Sequence, residues 1–219
     1  MTRSARGYFI TFEGVDGSGK STQMRLFAER LRTEGYTVVE TAEPGGTRIG
    51  NAIRSILLNP ENHDLSPTAE MLLYFAARAQ NVDELLLPAL ERGEIVLSDR
   101  WTDSTYTYQG HGRKLGTDVV VELDRVACRG HRPDLTIWVD IDMQSGLDRA
   151  RARNIETGAA AESRMDEQER DFYARVREGY VELQRLDPDR VKRVDGEGSP
   201  ETVAARVWPV WRSFAESHV

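Results

Sequence analysis

The stretch Gly14-Val15-Asp16-Gly17-Ser18-Gly19-Lys20-Ser21 satisfies the pattern G-x-x-x-x-G-K-[ST], with Thr22 directly after it. A run of β-formers, Tyr8–Glu13, leads into it, and a helical pattern opens at Lys20. Residues of these types in this order hold a polyphosphate. Glycines let backbone N–H groups turn inward around phosphate oxygens, and a helix N-terminus adds its partial positive charge. Lys20 would bridge the β- and γ-phosphates, and the Ser21 hydroxyl would reach Mg²⁺. Asp16 is unexpected inside such a loop, because a carboxylate repels the nucleotide. Its presence suggests a task, such as orienting a magnesium-bound water or a group on the acceptor side.

Three further stretches carry chemistry. In "EIVLSDRWTDSTYTYQG" the strand Ile95–Ser98 delivers Asp99 and Arg100. Asp99 stands where phosphate-loop proteins put the carboxylate that orders Mg²⁺ and its waters. A hydrolytic motor usually follows that Asp with a Glu to activate water. Arg100 can instead pin a second phosphate in line with the first, which suits transfer better than hydrolysis. Ser104, Thr105, Tyr108 and Gln109 recur at helical spacing on the next segment, ready to bond a small polar acceptor. In "AEPGGTRIG", Glu43 ends a strand where a carboxylate can hold an arginine, Pro44 stiffens the turn, and Gly45-Gly46 permit close backbone approach. In "LLYFAARAQNV", Tyr74 and Arg78 are four apart and share a helix face, a pairing suited to reading a base, with Phe75 turned to the core. Taken singly, the last two also read as an ordinary turn and as plain amphipathic packing.

The elements needed to position these residues are present. Strand-like runs fall at Tyr8–Glu13, Thr37–Thr41, Ile95–Ser98, Leu135–Ile141 and Val191–Val194. Helical patterns lie between them at Lys20–Glu34, Arg48–Leu58, Pro67–Glu91, Asp118–Arg129, Gln144–Arg153 and Asp166–Leu186. A last helix spans about Pro200–Ala215, with Ser199 as cap and a kink or early break expected at Pro209. Alternating strands and helices predict right-handed βαβ units and a mostly parallel sheet covered on both faces. Ligands then bind beyond the carboxyl ends of the strands, where the residues singled out above lie.

With 219 residues and no internal repeat or low-complexity linker, one domain covering 1–219 is expected. A net charge of −7 argues against a sequence-general nucleic-acid binder. Cys128 is the only cysteine, which excludes an internal disulfide framework or a cysteine-rich zinc site. No apolar run approaches the ~20 residues that span a bilayer, and "MTRSARG" lacks the apolar core of a signal peptide. The expectation is a cytoplasmic protein.

In combination these motifs resemble the thymidylate kinases. The likeness covers nearly the whole chain, in family order: the phosphate loop with its inner Asp, "EPGGT", the aromatic-x-x-x-Arg helix, "DR" followed by "DSTYTYQG", "RPDLTIWVDID" and an arginine-rich stretch. The resemblance implies a three-layer α/β/α P-loop fold with a five-stranded parallel sheet and a mobile lid at about 149–165. It implies transfer of the γ-phosphoryl of Mg·ATP to dTMP, and a homodimer. Arg54 and Arg100 would grip the dTMP phosphate, Tyr74 would stack on thymine, and Arg78 would bond its O4. Thr105, Tyr108 and Gln109 would contact base or sugar. The glycine at Gly17 implies that the catalytic arginine comes from the lid, as Arg149, Arg153 or Arg164, and Asp166 matches a family carboxylate near the acceptor. The chain departs from the family's commoner spellings at Ala42, Tyr74 and Trp101, none of which removes a group the chemistry needs.

Alternatives remain at this point. A nucleoside monophosphate kinase with another base preference differs by only a few pocket contacts. A kinase acting on a nucleoside hydroxyl would want a base near the acceptor. A nucleotide-dependent switch or partitioning ATPase would bind a partner protein, although the N/T-K-x-D signature of guanine-specific switches is absent.

Overall fold

The computed structural model describes residues 7–142, 144–146, 148–149, 164 and 170–217. In chain order its main elements are β1 (Phe9–Glu13), α1 (Lys20–Thr33), β2 (Val38–Ala42), α2 (Arg48–Leu58), α3 (Pro67–Asn81), α4 (Leu87–Glu91), β3 (Ile95–Asp99), α5 (Thr102–Thr105), α6 (Thr117–Ala127), β4 (Leu135–Asp140), α7 (Arg170–Leu186), β5 (Val191–Asp195) and α8 (Pro200–Ser217). The five strands pair in the order β2-β3-β1-β4-β5, all parallel. This is the expected sheet, with strand limits shifted by a residue.

A parallel sheet covered by crossover helices buries both faces, so its strands read as near-continuous apolar runs. Ile10, Phe12, Leu97, Ile137 and Val139 meet Phe27 and Leu31 of α1 and Val207, Trp208 and Trp211 of α8. On the opposite face, Phe9 and Val96 meet Val82, Leu86 and Leu90. Trp138 and Val191 meet Tyr173, Val176 and Leu183 of α7, and the Trp138 and Tyr180 rings stack 5.6 Å apart. Truncating one such buried aromatic costs about 3–5 kcal/mol. The result is three layers, α/β/α.

Local chemistry sets the helix starts. Thr47 caps α2 by accepting the Gly50 N–H at 2.9 Å, and Ser66 caps α3 with Pro67 in its first turn. Ser199 accepts the Thr202 N–H at 3.3 Å where α8 begins. Contrary to expectation, Pro209 neither breaks nor shortens this helix, which runs on to Ser217. Pro209 and Ala205 are both exposed, so the carbonyl that loses its donor faces water. Buried Val203, Val207, Trp211 and Phe214 hold both halves to the sheet. The expected helix Pro67–Glu91 is interrupted by a π-turn at Val82–Leu86, a widened turn that accommodates Pro88. The helix expected to end at Arg129 stops at Ala127, because Arg129 and Gly130 adopt left-handed backbone (φ 50 and 83).

Candidate active site

Parallel strands put all their carboxyl ends on one edge, and that edge gathers Glu13, Glu43, Asp99 and Arg100. The loop after β1 wraps tightly. Gly14 has φ 142, and a Cβ there would lie 2.4 Å from the Val139 carbonyl oxygen, so no other residue fits. Gly17 and Gly19 also take positive φ. Val15 is buried, and Ser18 lies buried beside Gly14. Lys20 opens α1 as a buried cation, its Nζ 3.6 Å from Asp16 Oδ1. Burial, and then the neighbouring Arg100, push its pKa below the usual lysine value. The Ser21 hydroxyl donates to Asp99 Oδ2, bringing two hard oxygens together at the head of the loop. Thr22 follows in the first turn of α1.

Asp16 is neutralised from the far side. Arg100 Nη2 donates to Asp16 Oδ1 at 2.8 Å and to the Tyr108 hydroxyl at 3.2 Å, and that hydroxyl donates to Asp16 Oδ2 at 3.3 Å. Arg100 Nη1 donates to Ser104 Oγ at 2.8 Å. Burial alone would lower the Arg100 pKa, but Tyr108, Asp16, Tyr180 and Glu13 together raise it well above the ordinary value. The carboxylate that would repel a nucleotide is thus balanced by a cation reaching over from β3.

Behind this cluster lies Glu13, which sequence reading treated only as the last residue of a strand. It is fully buried and accepts the Trp101 N–H at 2.7 Å, the Ser104 hydroxyl at 2.5 Å and the Tyr180 hydroxyl at 2.8 Å. Burial, aided by Asp103, lifts its pKa to about 7 against the pull of Arg100 and the two hydroxyls. A carboxylate ending an otherwise apolar strand was the available signal. Tyr180, 167 residues away, offered none.

On the β2 side, Glu43 precedes a cis peptide bond to Pro44, and Gly46 (φ 77) packs so closely that a Cβ would lie 2.1 Å from Thr41 Oγ1. Glu43 is buried, and its Oε2 lies 3.8 Å from Arg78 Nε. Burial is the main reason its pKa rises to about 8, despite Arg78 and Asn81 nearby. Arg78 is 1% exposed, donates through Nη2 to Thr105 Oγ1 at 3.0 Å, and leaves Nε and Nη1 without a hydrogen-bond partner. Its guanidinium lies over Phe75 (5.0 Å) and Trp101 (5.4 Å). Phe75 is in the core with Met71 and Val120, whereas Tyr74 is half-buried, its hydroxyl pKa raised to about 12 by burial and then by Glu70. Arg54 on α2 reaches the same turn, donating to the Pro44 carbonyl at 3.0 Å.

The segment carrying Ser104, Thr105, Tyr108 and Gln109 turns π-helical from Tyr106 to Gly112. The expectation was of groups ready for an acceptor. In the structure these side chains are buried, and each is already tied into the protein. Gln109 Nε2 donates to Glu70 Oε1 at 2.8 Å, while Arg113 holds Glu70 at 3.0 Å and Arg164 holds it at 2.7 Å. Burial alone would raise the Glu70 pKa, but the hydrogen bonds and charge of Arg113, the Gln109 amide and the charge of Arg164 keep it below the usual carboxylate value. Glu70 and Arg113 were also missed, since partners 43 positions apart leave no local pattern.

Of the lid candidates, Arg164 is buried and also donates to the Leu57 carbonyl. Arg149 is exposed and donates to Glu197 Oε2 at 3.1 Å. Gly146, one turn before it, packs on the Asp16 carbonyl, where a Cβ would lie 2.8 Å away. Arg153 and Asp166, and nearly all of the lid segment, lie outside the described residues. Beyond β4 and β5 a polar cleft of about 450 Å³ is lined by Asp140, Arg177, Arg193 and Asp195 among others.

A phosphate-binding loop after the middle strand, with an Asp-Arg pair on the strand beside it, defines a P-loop nucleotide-binding enzyme of the kinase class. A sequence model of the thymidylate kinase family matches residues 12–207. A thymidylate kinase from Pelobacter propionicus is 49% identical over 202 residues, 92% of each chain. One from a Geobacter species is 48% identical over 211 residues, 96% of this chain and 94% of that one. The crystal structure of the Ehrlichia chaffeensis thymidylate kinase has a TM-score of 0.75 at 31% identity, covering 94% of this chain and 99% of that one. The chain belongs to the thymidylate kinase family.

Proposed function

We propose that this enzyme transfers the γ-phosphoryl of ATP to the 5′-phosphate of dTMP, giving dTDP and ADP on the way to dTTP. The observation that carries the reading is Arg78. A guanidinium so deeply buried with two nitrogens that make no hydrogen bond is costly unless something completes it. A base carbonyl entering beside the half-buried Tyr74 would do so, with the ring stacking on the base. Thr105, Tyr108 and Gln109 would line the base and sugar, and Glu43 would steady Arg78.

Acceptor chemistry follows from charge. The acceptor phosphate is already an anion, so no general base is needed, and catalysis reduces to positioning, neutralisation and exclusion of water. Arg100, and Arg54 from the Pro44 turn, would grip that phosphate, while Asp16 holds Arg100 in line with the loop. Lys20 and the amides of Gly14–Thr22 would hold the donor phosphates, whose negative charge would favour the protonated form of Lys20. Two hard oxygens, Ser21 Oγ and Asp99 Oδ2, fit a hexacoordinate Mg²⁺ carried in by the nucleotide. The ion would supply charge neutralisation across the β- and γ-phosphates. Arg149 or Arg153 from the lid, about 149–165, would meet charge developing between donor and acceptor.

The whole chain works as a single P-loop kinase domain in this reading, built on one sheet, and takes neither nucleic acid nor membrane as a partner. Partnering with a second copy is part of it. Ile49 and Ile56 of α2, Leu72 of α3, and Val119 and Val126 of α6 are exposed apolar side chains on helices that pack side by side. A homodimer would cover them. The setting is the cytoplasm, where ATP is supplied.

The test is ADP release with Mg·ATP and dTMP, dUMP, dCMP, AMP, GMP or no acceptor. Turnover is expected with dTMP and almost none without an acceptor. An Arg78→Met variant should lose about 10–100-fold in kcat/KM with dTMP, the worth of a hydrogen bond to a charged donor. Equal hydrolysis with or without acceptors would overturn the reading.

A further inference from the structure

Arg100 is held in an unusual conformation. Its φ of 73 is left-handed, a region that non-glycine residues occupy only where the surroundings over-determine it. The backbone around it is pinned at three points. The Arg100 N–H donates to the Phe12 carbonyl at 3.0 Å, and Ser98 Oγ donates to the Arg100 carbonyl at 2.7 Å. The next N–H, of Trp101, donates to Glu13 Oε1 at 2.7 Å. Of these three acceptors only Glu13 is a side chain from another strand.

The same carboxylate reaches the other end of Arg100. Glu13 Oε2 accepts the Ser104 hydroxyl at 2.5 Å, and Ser104 Oγ in turn accepts from Arg100 Nη1 at 2.8 Å. A serine hydroxyl has one proton. When Glu13 is ionised, above its pKa of about 7, it can only accept, so that proton is committed to Glu13 and a lone pair is left facing the guanidinium. Tyr180, donating to Glu13 at 2.8 Å, closes the far side of the cluster. The groups with charge or a titratable proton around Glu13 are Lys20 of α1, Arg100 after β3, Asp103 of α5 and Tyr180 of α7.

We propose that Glu13 is a positioning residue that sets Arg100 for the acceptor phosphate, fixing its backbone through the Trp101 N–H and its guanidinium through Ser104. Glu13 touches no substrate in this account; it acts through Arg100. The proposal rests on the phosphate-gripping role given to Arg100 above.

A double-mutant cycle tests it, using Glu13→Gln, Arg100→Ala and the pair, with single-turnover and steady-state rates for dTMP phosphorylation. Glutamine keeps the shape of glutamate but brings an amide donor that can reverse the Ser104 hydroxyl. The expected result is a fall in kcat of about tenfold or more with KM for ATP within about twofold. In the Arg100→Ala background the same change should cost under about twofold, because its route of action is gone. An equal loss in both backgrounds would overturn the proposal, since a merely structural carboxylate weakens both proteins alike. Ser104→Ala removes the guanidinium link together with the Ser104 contacts to Glu13 and Tyr180, leaves the Trp101 N–H link in place, and carries the same cycle if Glu13→Gln does not fold. Unimpaired turnover of Arg100→Ala alone is a separate result that overturns the role of Arg100.

Discussion

The acceptor and donor sides of this site are built differently. On the proposed acceptor side, Arg78 and Arg164 are buried and Arg100 is half-buried, and each contacts at least one buried acidic or hydroxyl group. On the donor side, Arg149 is held at the surface by one ion pair in which both partners are nearly half exposed. Charges paired in the interior do not rearrange cheaply, whereas exposed pairs contribute about 0–1 kcal/mol and break readily. On the proposed assignment the dTMP half, like the phosphate loop with its buried Lys20, would be prepared before substrate arrives, and Arg149 of the lid would be set in place by what binds. That division suits a transferase, which gains by aligning the acceptor before a reactive donor is exposed to water.

Breaking the prepared half should cost most. Arg100→Ala removes the cation expected to face the acceptor phosphate, and kcat should fall about 10³-fold, on the scale of transition-state arginines elsewhere. Rapid-quench measurement of dTDP formation checks this. Arg164→Ala strips one partner from the buried Glu70 pair, and urea unfolding should show a loss of about 3 kcal/mol. A loss near zero would put Arg164 with the exposed class instead.

A smaller effect follows from Glu43. Its folded pKa of about 8 lies above the ordinary carboxylate value of 4.5, so the folded state binds the extra proton. That contribution is fully present below the unfolded pKa and is lost as pH rises through about 8. Glu13 adds the same sign up to about 7. Melting curves should therefore show a decline between about pH 5 and pH 8 that is shallower in Glu43→Gln. Parallel curves for the two proteins would show that Glu43 ionises freely. Least of all, Arg149→Ala should shift the unfolding free energy by under about 1 kcal/mol.

The two halves also differed in how well the sequence announced them. The phosphate loop is contiguous and bounded by a strand and a helix, so its geometry could be read from residues 8–23. Asp99-Arg100 was legible because a buried strand has a definite end. Tyr74 and Phe75 had to lie on different faces, because a helix separates adjacent residues, but the helix register that decides which ring faces the core was fixed only by packing. The network behind them could not. Glu13, Glu70, Arg113 and Tyr180 meet only through tertiary packing, and no spacing rule links residues 43 or 167 positions apart. The tolerated Pro209 and the two π-turns escaped for a related reason: propensity names the local cost, and packing elsewhere decides whether it is tolerated.

The most direct test of a prepared acceptor half is calorimetric titration of dTMP into the nucleotide-free protein and into protein saturated with a non-hydrolysable ATP analogue and Mg²⁺. If Arg78, Arg100 and their partners are already in place, the two affinities should agree within about threefold. Measurable dTMP binding only after the ATP analogue is present would contradict the account.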